Sequence, residues 1–122
     1  MDVKIDTKEK FHVITVAGPK ISASMTEELT NSFLSFLQND VKNIVLNLEK
    51  IEELGDGVAG SLVKLQQTFY EKNASFVICC LRKEVEKQLE ESELLDIMNV
   101  TPSESEAWDI VQMEEIEREL LG

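Results

Sequence analysis

The chain has 122 residues, of which 43% are hydrophobic, and 24 Asp and Glu outnumber 12 Lys and Arg to give a net charge of −12 at pH 7. This composition is typical of a folded globular chain, and the length predicts a single domain, 1–122. The acidic balance disfavours binding to nucleic acid and docking on anionic lipid, since both carry the same sign of charge. It serves solubility alone or suits a partner with a basic face.

No apolar stretch approaches the roughly 20 residues that a membrane span requires, so we expect no membrane insertion. The charged N-terminal segment lacks the apolar core of a signal peptide, which predicts a cytoplasmic protein. Cys79 and Cys80 are adjacent in a predicted strand, where neighbouring side chains point to opposite faces; both are interpreted as small core residues. With His12 as the single histidine, there is nothing from which to build a zinc site.

The chain opens with a predicted β-hairpin. Apolar and polar residues alternate over 3–6 and again over 11–17, with Phe11 and Val13 on one face and Ile14 and Val16 on the other. A surface or edge position is the default for His12. A helix capped by Ser24 or Thr26 follows, and its apolar face has helical spacing. That face comprises Met25, Leu29, Phe33, Phe36 and Leu37.

The stretch 43–61 changes from strand to helix. The apolar run at 44–48 is typical of a strand buried on both faces. From Val58 the apolar residues recur with helical spacing, and the glycines before it allow a sharp turn. Asp56 lies at the expected N-cap of this helix. It is either only a cap, which stabilises the fold by about 1 kcal/mol, or part of a surface loop that a partner protein binds.

Beyond this helix, 76–81 predicts a second buried strand, which completes a right-handed βαβ unit with the first. A short helix over 82–92 with Val85 and Leu89 on one face and a short strand within 94–100 follow. The last helix begins near Ser103, which has capping-box spacing to Glu106. It extends through 112–122, where a narrow stripe of Met113, Ile116 and Leu120 belongs to a packed or frayed helix end or contacts a partner or a second copy in a homodimer.

The segment 43–61 resembles the core of a STAS domain, as in the bacterial anti-sigma factor antagonists. Their signature is a strand like I-V-L-N-L, a short acidic turn, and D-S-S-G-L-G at the start of a helix. Residues 44–49 match the strand, 54–60 fall on the loop, and 73–79 fall on the next strand without a gap. The resemblance covers roughly residues 3 to 111. It implies an α/β fold with a mixed four- to five-stranded sheet and helices packed mainly on one face.

The resemblance implies a protein-binding role in transcription regulation. Members bind a kinase-like anti-sigma factor in a partner-switching signalling pathway. The alternatives are a STAS subunit of a signalling scaffold or of a transporter complex without a phosphoswitch, and a nucleotide-binding protein. The implied partner-binding residues are Ser22, Leu54, Gly55, Asp56, Gly57, Val58, Gly60 and Ser61.

The loop departs from the family pattern. The position of the phosphorylated Ser is Asp56 here, the Asp before it is Gly55, and the second Ser is Gly57. A carboxylate cannot accept a phosphoryl group by the same chemistry, and it only partly mimics a phosphate, so the protein is either a constitutive or a constitutively weakened binder. A family Asp on a neighbouring segment is Ser22 here, which either bonds Asp56 or makes no contact with it. Phosphorylation of Ser22, Ser24 or Ser61 stays an alternative.

The residues give no basis for an enzyme. The glycines lack the Lys of a phosphate-binding loop, and no Ser/His/Asp set can be assembled around His12. The runs of Glu near 84–93 and 114–119 are interpreted as solvated helix faces. We therefore expect no catalytic residue, no cofactor and no metal.

Overall fold

The computed structural model describes residues 2–121. A five-stranded mixed sheet forms its centre, in the order β1-β2-β4-β6-β7, with a separate two-stranded ladder of β3 and β5. Only the β1–β2 pair is antiparallel in the main sheet. The strands are β1 Val3–Thr7, β2 Phe11–Val16, β3 Lys20–Ile21, β4 Asn43–Asn47, β5 Glu53–Leu54, β6 Phe76–Cys79 and β7 Val100–Thr101.

Four α-helices flank the sheet, which has a hydrophobic core on each face. Three of the helices pack in the larger of the two cores. The helices are α1 Thr26–Leu34, α2 Val58–Glu71, α3 Lys83–Glu91 and α4 Glu104–Leu121, with 3₁₀ turns at Ala23–Met25, Ser35–Gln38 and Leu95–Ile97. Side chains of α1, α2 and α3 pack with Ile14, Ile44 and Ile78 on one face. Only Ala107 and Val111 of α4 are buried on the opposite face, against Val45 and Val77. This confirms the predicted α/β class, with helices mainly on one face.

Strand β2 shows how the alternating pattern divides the core. Ile14 and Val16 point to the larger core, whereas Phe11 and Val13 point to the smaller one. Phe11 stacks on Trp108 of α4, with ring centroids 4.7 Å apart. Each face of β2 is covered by one of these cores, while β1 and β4 flank its edges.

The position of His12 differs from the expected surface or edge placement. It is buried inside the sheet, where its Nδ1 lies 3.0 Å from Thr7 Oγ1 and its Nε2 lies 2.9 Å from the Val41 carbonyl oxygen. Its ring also lies against Phe36, with centroids 4.7 Å apart. A histidine with both ring nitrogens hydrogen-bonded and one face on an aromatic ring is a structural residue.

The interpretation of Cys80 as a strand residue is wrong. Strand β6 ends at Cys79, and Cys80 adopts the left-handed conformation with φ 64°, half-exposed. That conformation brings the two Sγ atoms to 3.3 Å, instead of pointing the side chains to opposite faces. Cys79 is buried as predicted. Burial raises its thiol pKa, and the neighbouring Cys80 and the carboxylates of Glu104 and Glu49 add to the effect.

Two asparagines of β4 attach α4 to the sheet. Asn43 Nδ2 donates to Glu115 Oε1 over 2.6 Å, and Asn47 Nδ2 donates to Glu104 Oε2 over 2.9 Å. Both asparagines are buried, and they lie at opposite ends of the same strand. Helix α4 therefore runs along the strand, with its first turn at the carboxyl end and its later turns at the amino end.

The start of α4 and the end of α2 follow the sequence signals. Ser103 Oγ accepts the Glu106 N–H over 3.3 Å, which confirms that Ser103 caps α4; the Glu106 carboxylate accepts the Ser103 hydroxyl, also over 3.3 Å, in place of the backbone N–H of a full capping box. Asn73, with φ 62°, ends α2 in the left-handed conformation that is common after a helix.

The apolar stripe of α4 is exposed: 59% for Met113, 56% for Ile116 and 81% for Leu120.

Candidate functional site

The candidate site is the loop between β5 and α2 together with the segment after β3. Strands β3 and β5 pair in parallel, with Ile21 opposite Leu54. The Gly55 N–H continues this ladder by donating to the Ile21 carbonyl over 2.7 Å. The segment that leads to Ser22 and the segment that leads to Asp56 are thus hydrogen-bonded neighbours. Ser22 and Asp56 each lie just beyond this ladder.

Gln88 of α3 fixes the other side of the loop. Its Nε2 donates to the Leu54 carbonyl over 3.0 Å, and its Oε1 accepts the Leu54 N–H over 2.9 Å. A side-chain amide here replaces the next strand of a ladder, so both backbone groups of Leu54 are satisfied. Sequence reasoning missed Gln88, because a glutamine on a short amphipathic helix carries no signal of a partner 34 positions away.

Gly55 is required by close packing. A Cβ at this position would lie 2.7 Å from the Ala23 amide nitrogen and 3.1 Å from Ser22. Any side chain would push the two segments apart. The family's Asp therefore cannot occupy position 55 while the backbone stays in this arrangement.

The expected N-cap role of Asp56 is wrong. Gly57 occupies the N-cap of α2 with φ 78°, and no side chain caps the helix there. The left-handed backbone favours glycine, and the turn closes through a hydrogen bond from the Val58 N–H to the Gly55 carbonyl over 3.2 Å. The Asp56 carboxylate is consequently placed one residue before the N-cap, where the positive end of the helix dipole still favours it.

Asp56 is exposed, and the described residues offer its side chain no hydrogen bond. Of the two alternatives for Ser22, the structure has no bond between Ser22 and Asp56: Ser22 Oγ lies 2.9 Å from Ser24 Oγ instead. The carboxylate is free to meet a partner. On the segment before it, Glu52 and Glu53 are exposed as well, and each is ion-paired: Glu53 with Lys20 over 3.2 Å and Glu52 with Arg82 over 3.9 Å.

The other predicted binding residues divide by burial. Leu54 and Val58 are buried in the larger core and hold the loop in place, without offering a surface to a partner. Gly57 and Gly60 are exposed, whereas Ser61 is half-buried on the first turn of α2. A Cβ at Gly60 would meet no atom within 4 Å, so the backbone of that turn is open to close approach.

An open cavity of about 840 Å³ lies elsewhere, at the amino end of β4, lined by residues such as Lys10, Asp40 and Arg118. The loop does not line it. Within 2–121, no group of three or more His, Cys, Asp or Glu is arranged to hold a metal ion. The candidate site is therefore an exposed loop that lies apart from this cavity.

A family model for the STAS domain matches residues 2–107. The chain belongs to the STAS domain family. This confirms the resemblance drawn from the strand and loop pattern. No curated protein matches the chain.

Three solved structures are similar to this chain in fold. An anti-sigma factor antagonist from Mycobacterium paratuberculosis is 14% identical, with a TM-score of 0.76 over 91% of this chain and 93% of that chain. The unphosphorylated anti-sigma factor antagonist SpoIIAA of Bacillus is 18% identical, with a TM-score of 0.71 over 91% and 96%. A sulfate transporter family protein from Wolinella succinogenes is 9% identical, with a TM-score of 0.71 over 89% and 90%. At these identities the likeness establishes a shared fold.

None of the helices described in 2–121 has the length and apolar character to cross a membrane.

Proposed function

We propose that this STAS protein is a protein-binding module of the anti-sigma factor antagonist type, which binds a kinase-like anti-sigma factor in a partner-switching pathway and so regulates transcription from the cytoplasm. The observation that carries the proposal is the exposed Asp56 carboxylate on a loop held from both sides. Just before Asp56, strand β3 bonds one edge of the backbone at residues 53–55, and Gln88 bonds the other edge at Leu54. Pre-organised loops bind without a large entropy cost.

The binding surface in this proposal comprises Ser22 and the exposed part of the loop and first helical turn. Gly55, Asp56, Gly57, Gly60 and Ser61 belong to it, while Leu54 and Val58 act as buried anchors. The exposed Asp56 carboxylate and the net charge of −12 suit a partner with a basic face.

The proposal includes the loss of the family's phosphoswitch at position 56. SpoIIAA has been solved in a phosphorylated and an unphosphorylated form. A phosphoserine carries close to two negative charges, whereas a carboxylate carries one and has fewer acceptor oxygens. With Asp56 the affinity for the anti-sigma factor has one fixed value, whereas a phosphorylatable Ser would switch it between two values.

Binding assays with charge variants test the role of Asp56. The probe is a kinase-like anti-sigma factor encoded in the same genome, titrated against the protein and its Asp56→Ala, Asp56→Asn and Asp56→Ser variants. We expect these changes to alter the dissociation constant at least tenfold while the free energy of unfolding stays within about 0.5 kcal/mol, as for an exposed unpaired side chain. The matched control is Asp40→Ala, the same loss of an exposed charge at the opposite end of the sheet. Equal affinity of all variants would show that Asp56 takes no part in binding.

Phosphorylation assays test the loss of the switch. Incubation of the same kinase-like protein with ATP is expected to label the Asp56→Ser variant and to leave position 56 of the natural protein unlabelled. Label on Ser22, Ser24 or Ser61 of the natural protein would instead mean that the switch has moved within the same surface.

A second candidate, a STAS subunit of a transporter complex, has the fold match to a sulfate transporter family protein in its favour. In that case the exposed stripe of Met113, Ile116 and Leu120 is the contact surface. Substitution of Met113 and Ile116 by Ser separates the candidates: it would abolish assembly of a transporter subunit and leave binding to an anti-sigma factor unchanged.

A further inference from the structure

Strand β1 forms an open edge of the main sheet. It is first in the strand order, and all five of its residues are exposed. Two of them are large apolar side chains, Val3 at 36% and Ile5 at 47% exposure. An exposed edge strand of this length is a template for pairing with another strand, so its sequence shows which strand it fits.

The hydrogen bonds to β2 determine which residues face outward. The Lys8 N–H donates to the Phe11 carbonyl over 2.8 Å, and the Asp2 carbonyl accepts the Ala17 N–H over 2.9 Å. In an antiparallel pair, a residue directs its N–H and C=O to the same side, and the side alternates along the strand. The even-numbered residues of 2–8 are therefore bonded to β2. The backbone groups of Val3, Ile5 and Thr7 point to the open edge.

The charges of this strand alternate with a period of four. Asp2, Lys4, Asp6 and Lys8 lie on one face of the sheet, where Lys4 is opposite Thr15 and Asp6 is opposite Val13. Such a strand is complementary to a second copy of itself in one antiparallel register. When Ile5 faces Ile5, every Lys lies opposite an Asp: Lys4 with Asp6, and Lys8 with Asp2.

The neighbouring registers are excluded by the same charges. Outward-facing residues must meet outward-facing residues, so the register can shift only in steps that keep odd positions opposite odd ones. A two-fold axis at Lys4 would place Lys4 opposite itself and Asp2 opposite Asp6. An axis at Asp6 would place Asp6 opposite itself and Lys4 opposite Lys8. Like charges directly opposite each other destabilise a strand pair.

The favoured register satisfies the backbone and the apolar side chains as well. Val3, Ile5 and Thr7 become hydrogen-bonded positions, while Lys4 and Asp6 fall at the positions where facing side chains approach most closely, about 4.5 Å between Cα atoms. The exposed Ile5 side chain packs on its own copy, and Val3 packs on Thr7. The Asp6–Lys8 ion pair within one chain, at 3.0 Å, is exposed on both sides and is readily exchanged for pairs between chains.

We propose that β1 is a homodimer surface, in which two copies of this chain pair their β1 edges about a two-fold axis at Ile5 and join two five-stranded sheets into one. The contact is isologous, so it closes at two copies. The proposal does not depend on the function assigned to the loop, since β1 and the loop are separate surfaces.

Charge exchange between two variants gives the decisive test. Sedimentation equilibrium up to about millimolar protein is expected to show a reversible dimer of the natural chain. Lys4→Glu places a carboxylate opposite Asp6, and Asp6→Lys places an ammonium group opposite Lys4, so each variant alone is expected to dimerise at least tenfold more weakly. An equimolar mixture of the two restores both attractive pairs, and heterodimers are expected at close to the natural affinity. The matched controls are Lys42→Glu and Asp40→Lys, which change the same charges on exposed positions outside the strand.

A backbone variant provides an independent readout. Ile5→Pro removes an N–H that points to the open edge and leaves the bonds to β2 intact, so the monomer is expected to fold and the dimer to be lost. In the natural dimer, amide hydrogen exchange at Val3, Ile5 and Thr7 is expected to slow with rising protein concentration. A chain that stays monomeric at millimolar concentration would overturn the proposal. So would a dimer that survives Lys4→Glu and Ile5→Pro, or one that is lost only on substitution of Met113 and Ile116.

Discussion

The two regions that flank strand β4 are built in opposite ways. Before the strand, Asn43 is buried, and its side chain bonds to the backbone of Lys10 and Ser75 and to Glu115. After the strand, the backbone of the loop is fixed by Ile21 and Gln88, while the Asp56 side chain is exposed. In the first region the bonds are made by a buried side chain, whereas in the loop they are made to the backbone and leave the Asp56 side chain exposed. A surface that presents its side chains to a partner has to be of the second kind.

The largest expected effect is at the first region. Asn43→Ala leaves the buried Ser75 N–H without its acceptor and removes the donors to Lys10 and Glu115, so we expect a loss of about 3 kcal/mol in the free energy of unfolding. Urea denaturation measures it. The exposed control Asp40→Ala is expected to change stability by less than about 0.5 kcal/mol. Similar values for the two variants would mean that the polar contacts before β4 are not structural.

A smaller effect is expected from pH at the end of β6. The pKa of the buried Cys79 thiol is raised, so the folded chain holds this proton more tightly than the unfolded chain. Stability is then full below the unfolded pKa, roughly 8.5, and falls above it, by about 2 kcal/mol near pH 10. Unfolding measured between pH 8 and 10.5 should show this fall, reduced in Cys79→Ala. Equal pH profiles for the natural chain and the variant would contradict it.

The start of α2 tests whether the loop depends on its backbone. Gly57 has φ 78°, and Ala in the left-handed conformation costs about 1–2 kcal/mol. We expect Gly57→Ala to lower the free energy of unfolding by that amount and Gly57→Asn to lower it by less, because asparagine tolerates this conformation better. Thermal unfolding of the three chains gives the ranking. An Ala variant as stable as the natural chain would show that the backbone at position 57 does not require glycine.

The smallest expected change has the opposite sign for stability and for binding. Gly60 lies within α2 with open space around it, so Gly60→Ala should stabilise the fold by about 0.5–1 kcal/mol. The added methyl group at the proposed surface should nevertheless weaken binding of an anti-sigma factor. Denaturation and titration of the same sample compare the two quantities. Unchanged affinity would exclude this turn of α2 from the contact.

Local patterns in the sequence predicted much of the fold. The alternation in β2 gave the correct faces for Ile14 and Val13, and the helical spacing from Val58 gave the buried face of α2. The cap at Ser103 was also predicted. These features depend on residues a few positions apart, and the physical rules for them are periodicity and capping.

Features that depend on distant partners could not be predicted. Arg118 reaches Asn43 across 75 positions at 3.5 Å, and nothing in either neighbourhood indicates the other. The burial of His12 follows from α1 and the 3₁₀ turn that brings Phe36 onto it. At the loop, the sequence indicated the residues but placed the N-cap one position early, because Asp is a common cap and the left-handed turn at Gly57 cannot be distinguished from other glycine turns.

The close packing of Gly55 against Ala23 limits how a phosphorylation switch can be engineered into this loop. Installing a serine at position 56 changes only an exposed side chain. Restoring the acidic residue at position 55 would require the backbone around Ser22 to retreat, and the hydrogen bond from Gly55 to Ile21 would stretch with it. A serine switch with an acidic neighbour at position 55 would therefore require the redesign of two chain segments together.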